Sequence, residues 1–381
     1  MAGAGLAELV HEASDACRQA GSPLEEFSSE ANSESLDSDL SRALAEAGLT
    51  RISLGVQSLN DAELARLGRV HDRTRAIRAA SAVRSAGLDL SCDLMCAIPL
   101  QTAESLGASL HGVLDAGASH VSCYPLMVEE GTPLWRACES GEEAWPEDDA
   151  EADLMLLAER VLTRAGLTRY EVASYARSGH ACQHNIAYWT GRSYLGLGTS
   201  AASMLTPQEF AALAEALPLL CVPEDPAAAG SELWGSVKQV EPSGTHGASI
   251  DPAYTSGPAL AMRALAAGED RIARIRIRMT DNARSLTDAM RGNAPLHMAV
   301  EMLSKREALT EDLMLGMRMS AGVGTDLLER ARTVMGASLD AVLANVETRG
   351  LATRTSEGRL APTEQGWLLG NELYGALWDL A

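Results

Sequence analysis

Alternating apolar and polar residues predict two strands, at residues 52–57 (ISLGVQ) and 91–96 (SCDLMC). Side chains alternate sides along a strand, so Gln57 and Asp93 each fall on the face opposite the apolar residues. A parallel sheet wrapped in helices should be apolar on both faces. The two polar side chains therefore either face a ligand or hydrogen-bond to neighbouring backbone, and the pattern leaves both interpretations open.

Helices between the strands end repeatedly at an Ala-Gly pair, and glycine directly after the last turn is a common helix stop. The pairs are Ala47-Gly48, Ala86-Gly87, Ala116-Gly117 and Ala165-Gly166. Capping residues and helical periodicity predict helices over residues 72–86 and 102–116 and from Pro146 onward, with further strands at 119–125 and 170–176. We expect a loop at residues 129–134 and an irregular polar-aromatic turn at 183–189 (QHNIAYW). The repeated strand-helix order indicates β/α units around a parallel sheet or barrel.

The regular alternation is lost after residue 204. Residues 205–298 are rich in Ala, Pro, Gly and Ser and predict a low-complexity insertion or linker, with a lone alternating strand in 271–279 (RIARIRIRM). Residues 299–381 predict three helices, a small hairpin around residues 356–358 and a last helix, an order typical of a winged-helix-like module. We therefore expect three regions: 1–204, 205–298 and 299–381.

The composition of the chain limits the kinds of partner that it can be expected to bind. The 31 Lys and Arg against 52 Asp and Glu give a net charge of −21, which argues against nucleic-acid or anionic-membrane binding. Without a long apolar run or a basic-apolar leader, the sequence predicts a cytoplasmic protein with no transmembrane segment. The seven cysteines are scattered and odd in number, which argues against a disulfide framework.

Six motifs follow one another along the chain: SLGVQS, LGRVH, DLM-x-x-IP-x-QT, S-x-Y-x-L-x-x-E-x-GTPL, YE-x-x-x-YA and HN-x-x-YW. In order and spacing they resemble the radical S-adenosylmethionine (SAM) proteins of the oxygen-independent coproporphyrinogen III oxidase group. The last motif is similar to that of the HemW heme chaperone branch. The resemblance implies an α/β fold, namely a partial (β/α) radical-SAM barrel lacking its first strands, with a C-terminal winged-helix-like α+β module.

The resemblance also implies site residues. Glu30, Gln57, Arg69 and Asp93 match positions that contact S-adenosylmethionine in the family. Carboxylates can accept hydrogen bonds from ribose hydroxyls, while Gln and Arg can hold the amino-acid end of the ligand. Gln57 and Asp93 are thus interpreted as ligand contacts.

The HN-x-x-YW motif implies a heme contact. Its residues are His184, Asn185, Tyr188 and Trp189. A histidine can ligate heme iron and an aromatic ring can stack on the macrocycle. The alternative for His184 is a turn histidine that binds a backbone carbonyl.

One departure from the family concerns its [4Fe-4S] cluster. In the family, three cysteines in a Cys-x-x-x-Cys-x-x-Cys motif hold this cluster. Cys92 and Cys96 have the first spacing, but Pro99 stands at the third position, and Cys17 is isolated. The family's first two strands and its glycine-rich segment are also unmatched. We therefore expect an incomplete reading frame, and no cluster bound by these 381 residues.

Three functions remain open: a heme chaperone that delivers heme to a respiratory protein, a coproporphyrinogen III dehydrogenase using radical chemistry, and a non-catalytic remnant. The HN-x-x-YW motif favours the first. The missing cluster cysteines argue against the second, so we assign no catalytic residue and no metal ligand. The sequence leaves the heme acceptor and dimerisation open.

Overall fold

The computed structural model describes residues 3–217, 220–223, 254–268 and 271–380. The chain divides into two compact units, Met1–Ile186 and Ala187–Ala381. The strands of the first unit are β1 (Ser28–Asn32), β2 (Arg51–Gln57), β3 (Asp89–Cys96), β4 (His120–Pro125), β5 (Thr168–Arg169) and β6 (Ser174–Ala176). Its helices are α1 (Gly3–Gln19), α2 (Ser38–Glu46), α3 (Asp61–Arg66), α4 (Arg73–Ser85), α5 (Ala103–Asp115), α6 (Pro133–Ser140) and α7 (Asp148–Arg164). Helix α8 (Gln183–Trp189) has its first residues in this unit and its last residues in the second.

The first unit is built on a six-stranded sheet in the order β1-β2-β3-β4-β6-β5. Strands β1 to β4 are parallel, while β6 runs antiparallel to β4 and β5 antiparallel to β6. Among the described residues the sheet is not closed, since β1 and β5 are its edges. This agrees with the expected partial barrel.

The two faces of this sheet differ in polarity. The inward residues of β2 and β3, such as Ile52, Leu54, Leu90 and Leu94, have no exposed surface, and α4, α5 and α7 pack near this side of the sheet. The opposite face carries polar side chains from all four parallel strands. One face therefore forms the core, and the other is available for a ligand.

Most predicted helices and strands of the first unit lie within a few residues of their expected ends. The side chain of Asp72 caps α4 and that of Thr102 caps α5. The four Ala-Gly pairs follow helices, and each of their glycines has a positive φ. The glycine-stop pattern is therefore confirmed.

Three local predictions are wrong. Residues 170–176 are not one strand, because the Tyr170 amide donates to the Ser174 carbonyl and the chain turns back into β6. Residues 129–134 are not all loop, since Thr132 caps helix α6. Residues 183–189 form helix α8 rather than an irregular turn.

The second unit also contains a sheet, in the order β7-β10-β11-β8-β9. Its strands are β7 (Ala202–Leu205), β8 (Leu220–Pro223), β9 (Tyr254–Ser256), β10 (Arg274–Met279) and β11 (Leu296–Leu303), followed by the hairpin β12 (Ala352–Arg354) and β13 (Leu360–Pro362). Its helices are α9 (Pro207–Ala216), α10 (Gly257–Ala267), α11 (Ala283–Met290), α12 (Lys305–Gly316), α13 (Thr325–Met335), α14 (Ala337–Thr348), α15 (Glu364–Leu368) and α16 (Gly370–Trp378).

The expected linker over residues 205–298 is wrong wherever the structure describes that segment. Phe210, Ile275 and Ile277 are buried in a core formed by this sheet and its helices. The expected lone strand is β10, and it pairs with both β7 and β11. Its Arg276 forms ion pairs with Glu301 and Glu311, so at least this basic residue serves packing within the unit.

The last part of the second unit has the order expected for a winged-helix-like module, with helices α12 to α14 before the hairpin β12-β13. In the part of the chain that is described, no helix combines the length and the apolar character needed to cross a membrane.

Candidate functional site

A cavity of about 900 Å³ lies on the polar face of the first sheet. Glu30, Gln57, Arg69 and Asp93 all line this cavity, as do His184 and Asn185 at the start of α8. The structure therefore brings together six of the eight site residues predicted from the sequence. Tyr188 and Trp189 are not among its lining residues and lie in the second unit.

The register of the parallel strands arranges the polar side chains of the cavity in two rows. Glu30, Ser53, Ser91 and His120 are successive partners from β1 to β4. Two residues further along the strands lies a second row of partners, Gly55, Asp93 and Ser122, of which Asp93 and Ser122 carry polar side chains. Residues two apart on a strand share a face, so both rows point into the cavity.

Asp93 lies at the centre of the second row. Both of its carboxylate oxygens accept hydrogen bonds from the Ser53 hydroxyl, at 3.1 and 3.0 Å. Burial raises the pKa of Asp93 to about 6, although hydrogen bonds from Ser53 and Ser122 act in the opposite direction. The carboxylate is therefore mainly ionised at neutral pH and close to its titration range.

Gln57 has an unusual backbone conformation, with φ of 65° at the end of β2. The pairing register between β2 and β3 shifts between Gly55 and Gln57. The Gln57 side-chain carbonyl accepts a hydrogen bond from the Tyr124 hydroxyl at 3.3 Å. A Cβ on residue 55 would lie 3.1 Å from the side-chain amide nitrogen of Gln57. Glycine at this position therefore leaves space for the Gln57 side chain. A left-handed conformation in a residue other than glycine is often found at functional sites.

Glu30 and Arg69 are exposed, unlike the buried Gln57. Glu30 comes from β1, while Arg69 follows α3 in the connection to α4. One anionic and one cationic side chain are thus accessible at the margin of the cavity, where a ligand with groups of both charges could be held.

The carboxylate of Glu26 anchors the start of α8. It accepts hydrogen bonds from the backbone amides of Gln183 at 3.0 Å and His184 at 3.3 Å. The same carboxylate pairs at 3.4 Å with Arg51, whose guanidinium also donates to the His180 carbonyl at 2.9 Å. Arg51 is only 4% exposed, so its guanidinium is a buried charge with few alternative hydrogen-bonding partners.

These contacts explain why residues 183–189 form a helix. The first amides of a helix lack partners within it, and an acidic side chain near them is stabilising. Here that side chain comes from Glu26, which is distant in sequence, so a local pattern could not predict it. Sequence reasoning missed Glu26 and Arg51, although a charged residue at the first position of a buried strand was a usable signal.

The residues of the HN-x-x-YW motif have different surroundings. His184 is exposed. In the second unit, the ring of Tyr188 lies 4.5 Å from that of Tyr194. The guanidinium of Arg318 lies 5.3 Å from the Trp189 ring centroid and 4.6 Å from that of Tyr374. The ring of Trp189 thus already has a cation neighbour, and its predicted contact with heme stays a prediction.

The cysteines do not fit a [4Fe-4S] cluster. Cys92, Cys96 and Cys123 are buried, and burial raises the pKa of the Cys92 thiol well above its usual range. Cluster ligands must be thiolates, which an apolar interior disfavours. Within the ranges that the structure describes, no group of three or more His, Cys, Asp or Glu could hold a metal ion. No reaction step through a cluster is therefore derived from these residues.

Comparison with known proteins identifies two families. Residues 4–111 match the Radical SAM superfamily, and residues 303–369 match the HemN C-terminal domain. The chain is also similar in fold to the solved structure of coproporphyrinogen III oxidase HemN from Escherichia coli, a radical SAM enzyme. That similarity has a TM-score of 0.63 at 15% identity and covers 99% of this chain and 74% of HemN.

Curated relatives include proteins named heme chaperone HemW. The relative from Mycobacterium tuberculosis is 39% identical over 180 residues, which are 47% of this chain and 46% of the relative. The relative from Escherichia coli is 36% identical over 182 residues, or 48% and 47% of the two chains. The relative from Bacillus subtilis is 26% identical over 360 residues, or 93% and 76%.

The matched region thus spans about half the length of the first of these relatives. Both family matches and the fold agree with the resemblance inferred from the six motifs, which is confirmed. The chain thus resembles radical SAM proteins of the HemW/HemN type.

Proposed function

We propose that this protein is a heme chaperone of the HemW kind, which binds S-adenosylmethionine in the cavity of the first unit and heme through α8. The observation that supports this proposal is the shared cavity, which Glu30, Gln57, Arg69 and Asp93 line together with His184 and Asn185. The HemW relatives are named heme chaperones, and they match 180 and 182 residues of this chain. In this proposal the protein acts in the cytoplasm and passes heme to a respiratory protein.

The cavity has suitable size and chemistry for S-adenosylmethionine. Small-molecule sites usually have volumes of about 300 to 1,000 Å³, and this cavity has about 900 Å³. The carboxylates of Glu30 and Asp93 would accept hydrogen bonds from ribose hydroxyls. Gln57 and Arg69 would hold the amino and carboxylate groups of the methionine portion.

Heme would bind at α8 through His184. This side chain is exposed, and its backbone amide is held by Glu26, so the histidine has a defined position on the surface of the cavity. The neutral imidazole of histidine is a common axial ligand of heme iron. Asn185 would contribute a polar side chain beside it.

Radical decarboxylation is not part of this proposal. It would require a cluster bound by three thiolates, and no three cysteines of this sequence have the spacing found in the family. The residues of this chain would bind and orient S-adenosylmethionine and heme, and we assign them no bond-breaking step.

The test is a heme titration of the full chain followed by absorption of the Soret band. We expect saturable binding by the wild type and a loss of the axial-ligand spectrum in His184→Ala. The matched control is His111→Ala, which removes another exposed histidine, on α5. Identical spectra for the wild type and His184→Ala would refute the assignment of heme to α8.

S-adenosylmethionine binding is tested separately by calorimetry. Arg69→Ala and Asp93→Asn should each weaken binding by about tenfold or more, because each removes a charged hydrogen-bonding group. Arg66→Ala is a suitable control, since Arg66 is a nearby exposed arginine that does not line the cavity. Unchanged affinity in both cavity variants would contradict the proposed site.

A further inference from the structure

The second unit contains a cavity of its own, which the proposed function does not use and which we call the second cavity. Its volume is about 400 Å³. All of its lining residues belong to the second unit. They come from the connection after α8, from the first residues of α9 and β10, and from helices α12 and α13. Several separate elements therefore form its wall.

Three basic side chains line the second cavity, although the chain as a whole is strongly acidic. Arg274 begins β10, Lys305 begins α12, and Arg330 lies on α13. Of the described residues that line this cavity, one is acidic, Asp312 of α12. Three cations against one carboxylate leave two positive charges in excess. In a chain with a net charge of −21, this is a local environment suited to an anion.

Arg274 and Asp312 form a buried ion pair in the wall of the second cavity. A guanidinium nitrogen of Arg274 donates to Oδ2 of Asp312 at 2.7 Å, and the same guanidinium donates to the Ala308 carbonyl at 3.2 Å. Oδ1 of Asp312 also lies 2.7 Å from that nitrogen, but among the described residues it receives no hydrogen bond. Asp312 is only 8% exposed. Buried carboxylate oxygens normally accept hydrogen bonds, so Oδ1 is an acceptor that a ligand can use.

Lys305 and Arg330 supply the excess charge, since Asp312 offsets the charge of Arg274. Lys305 is the first residue of α12, a position where the helix dipole disfavours a cation. Arg330 pairs with Asp326 on its own helix at 3.2 Å. Both of these side chains are more than half exposed, so that pair contributes little and Arg330 can turn to a ligand.

The rest of the wall fits a small organic anion. Residues 206–208, at the start of α9, line the cavity, and the positive end of a helix dipole favours an anion. Met204 and Leu309 provide apolar surface for a carbon skeleton. The volume is less than half that of the cavity in the first unit, so a ligand smaller than S-adenosylmethionine is expected.

We propose that the second cavity binds a small phosphate ester that also carries a hydroxyl or amino group. A phosphate monoester has a charge of about −1.5 to −2 at neutral pH, which matches the two excess positive charges. Its phosphate interacts with Lys305 and Arg330, and its hydroxyl or amino group donates to Oδ1 of Asp312. This site lies within the second unit and does not rest on the proposed binding of heme or S-adenosylmethionine.

The first test is a calorimetric titration of the full chain with glycerol 3-phosphate in a buffer free of phosphate. We expect saturable binding with a Kd below about 1 mM. Methyl phosphate lacks the hydroxyl groups and should bind about tenfold more weakly, because it cannot donate to Asp312. Succinate has two carboxylates but no phosphate and should bind more weakly still. No binding of glycerol 3-phosphate, or equally tight binding of succinate, overturns the proposal.

The second test compares basic variants in the same titration. Lys305→Gln and Arg330→Gln each remove one charge and should each weaken glycerol 3-phosphate binding by about tenfold or more. The matched control is Arg332→Gln. Arg332 is an exposed arginine on the same helix as Arg330, pairs with Asp340 and does not line the cavity. This control should keep the wild-type Kd. Unchanged affinity in both cavity variants, or an equal loss in the control, overturns the proposal.

The third test locates the phosphate ester in the wild type without any substitution. Hydrogen exchange is measured with and without saturating glycerol 3-phosphate. We expect slower exchange at the Gln208 amide and in the first turns of α12, and no change at the amides of Gln183 and His184. Slower exchange at the start of α8 with none at Gln208 would place the phosphate in the first unit and overturn the assignment.

Discussion

Replacing Glu26 with alanine tests the anchoring of α8. The change removes the acceptor of the Gln183 and His184 amides and the partner of Arg51. Hydrogen bonds to charged groups are worth about 1.5 to 3 kcal/mol each. Removing one partner of a buried ion pair costs about 3 to 5 kcal/mol. The two effects share one carboxylate and are not additive, and Arg51 keeps its bond to the His180 carbonyl, so we expect a local loss of about 3 kcal/mol.

The assay is hydrogen exchange of the α8 amides, together with a measurement of the free energy of unfolding of the first unit. A loss of this size should speed local opening of α8 by about a hundredfold, because each 1.4 kcal/mol is a factor of ten. Glu26→Gln is the matched variant, since its side-chain oxygen can still accept one amide while the charge is lost. We expect an intermediate effect for it. Unchanged exchange at His184 in Glu26→Ala would refute the argument that this carboxylate forms the helix.

Other predictions concern the sheet and the cavity. Leu94→Ala should destabilise the first unit by about 2 to 5 kcal/mol in urea unfolding, because this side chain has no exposed surface; a much smaller loss would contradict the packing of this face. Gly55→Val should weaken S-adenosylmethionine binding severalfold with near-normal stability, because its side chain would crowd Gln57. The pKa of Asp93 is raised by folding from 3.8 to about 6, so the native state binds more protons than the unfolded state in this range and its stability falls as pH rises through it. Asp93→Asn should remove that part of the pH dependence, and an unaltered profile would show that Asp93 titrates normally. Anaerobic reconstitution with iron and sulfide should give no cluster absorption, since the buried cysteines are poor ligands.

The sequence alone predicted much of the first sheet and the resemblance to the family. Alternation at residues 52–57 and 91–96 located two of its strands, and the Ala-Gly pairs located the ends of its helices. These features are local, because side-chain periodicity, caps and left-handed glycines depend on residues a few positions apart. The same local patterns singled out Gln57 and Asp93 as polar residues on a face that needed an explanation.

Tertiary structure decided the rest, because the partners concerned are far apart in sequence. Helix α8 forms where Glu26 meets Gln183, and the residues at 205–298 that looked like a linker provide strands that gain their partners across the second sheet. Strand register, which no single strand encodes, aligned Ser53, Ser91 and His120 into one polar row. Local patterns could therefore name single residues of the site, but only the packing of distant segments joined them into one cavity.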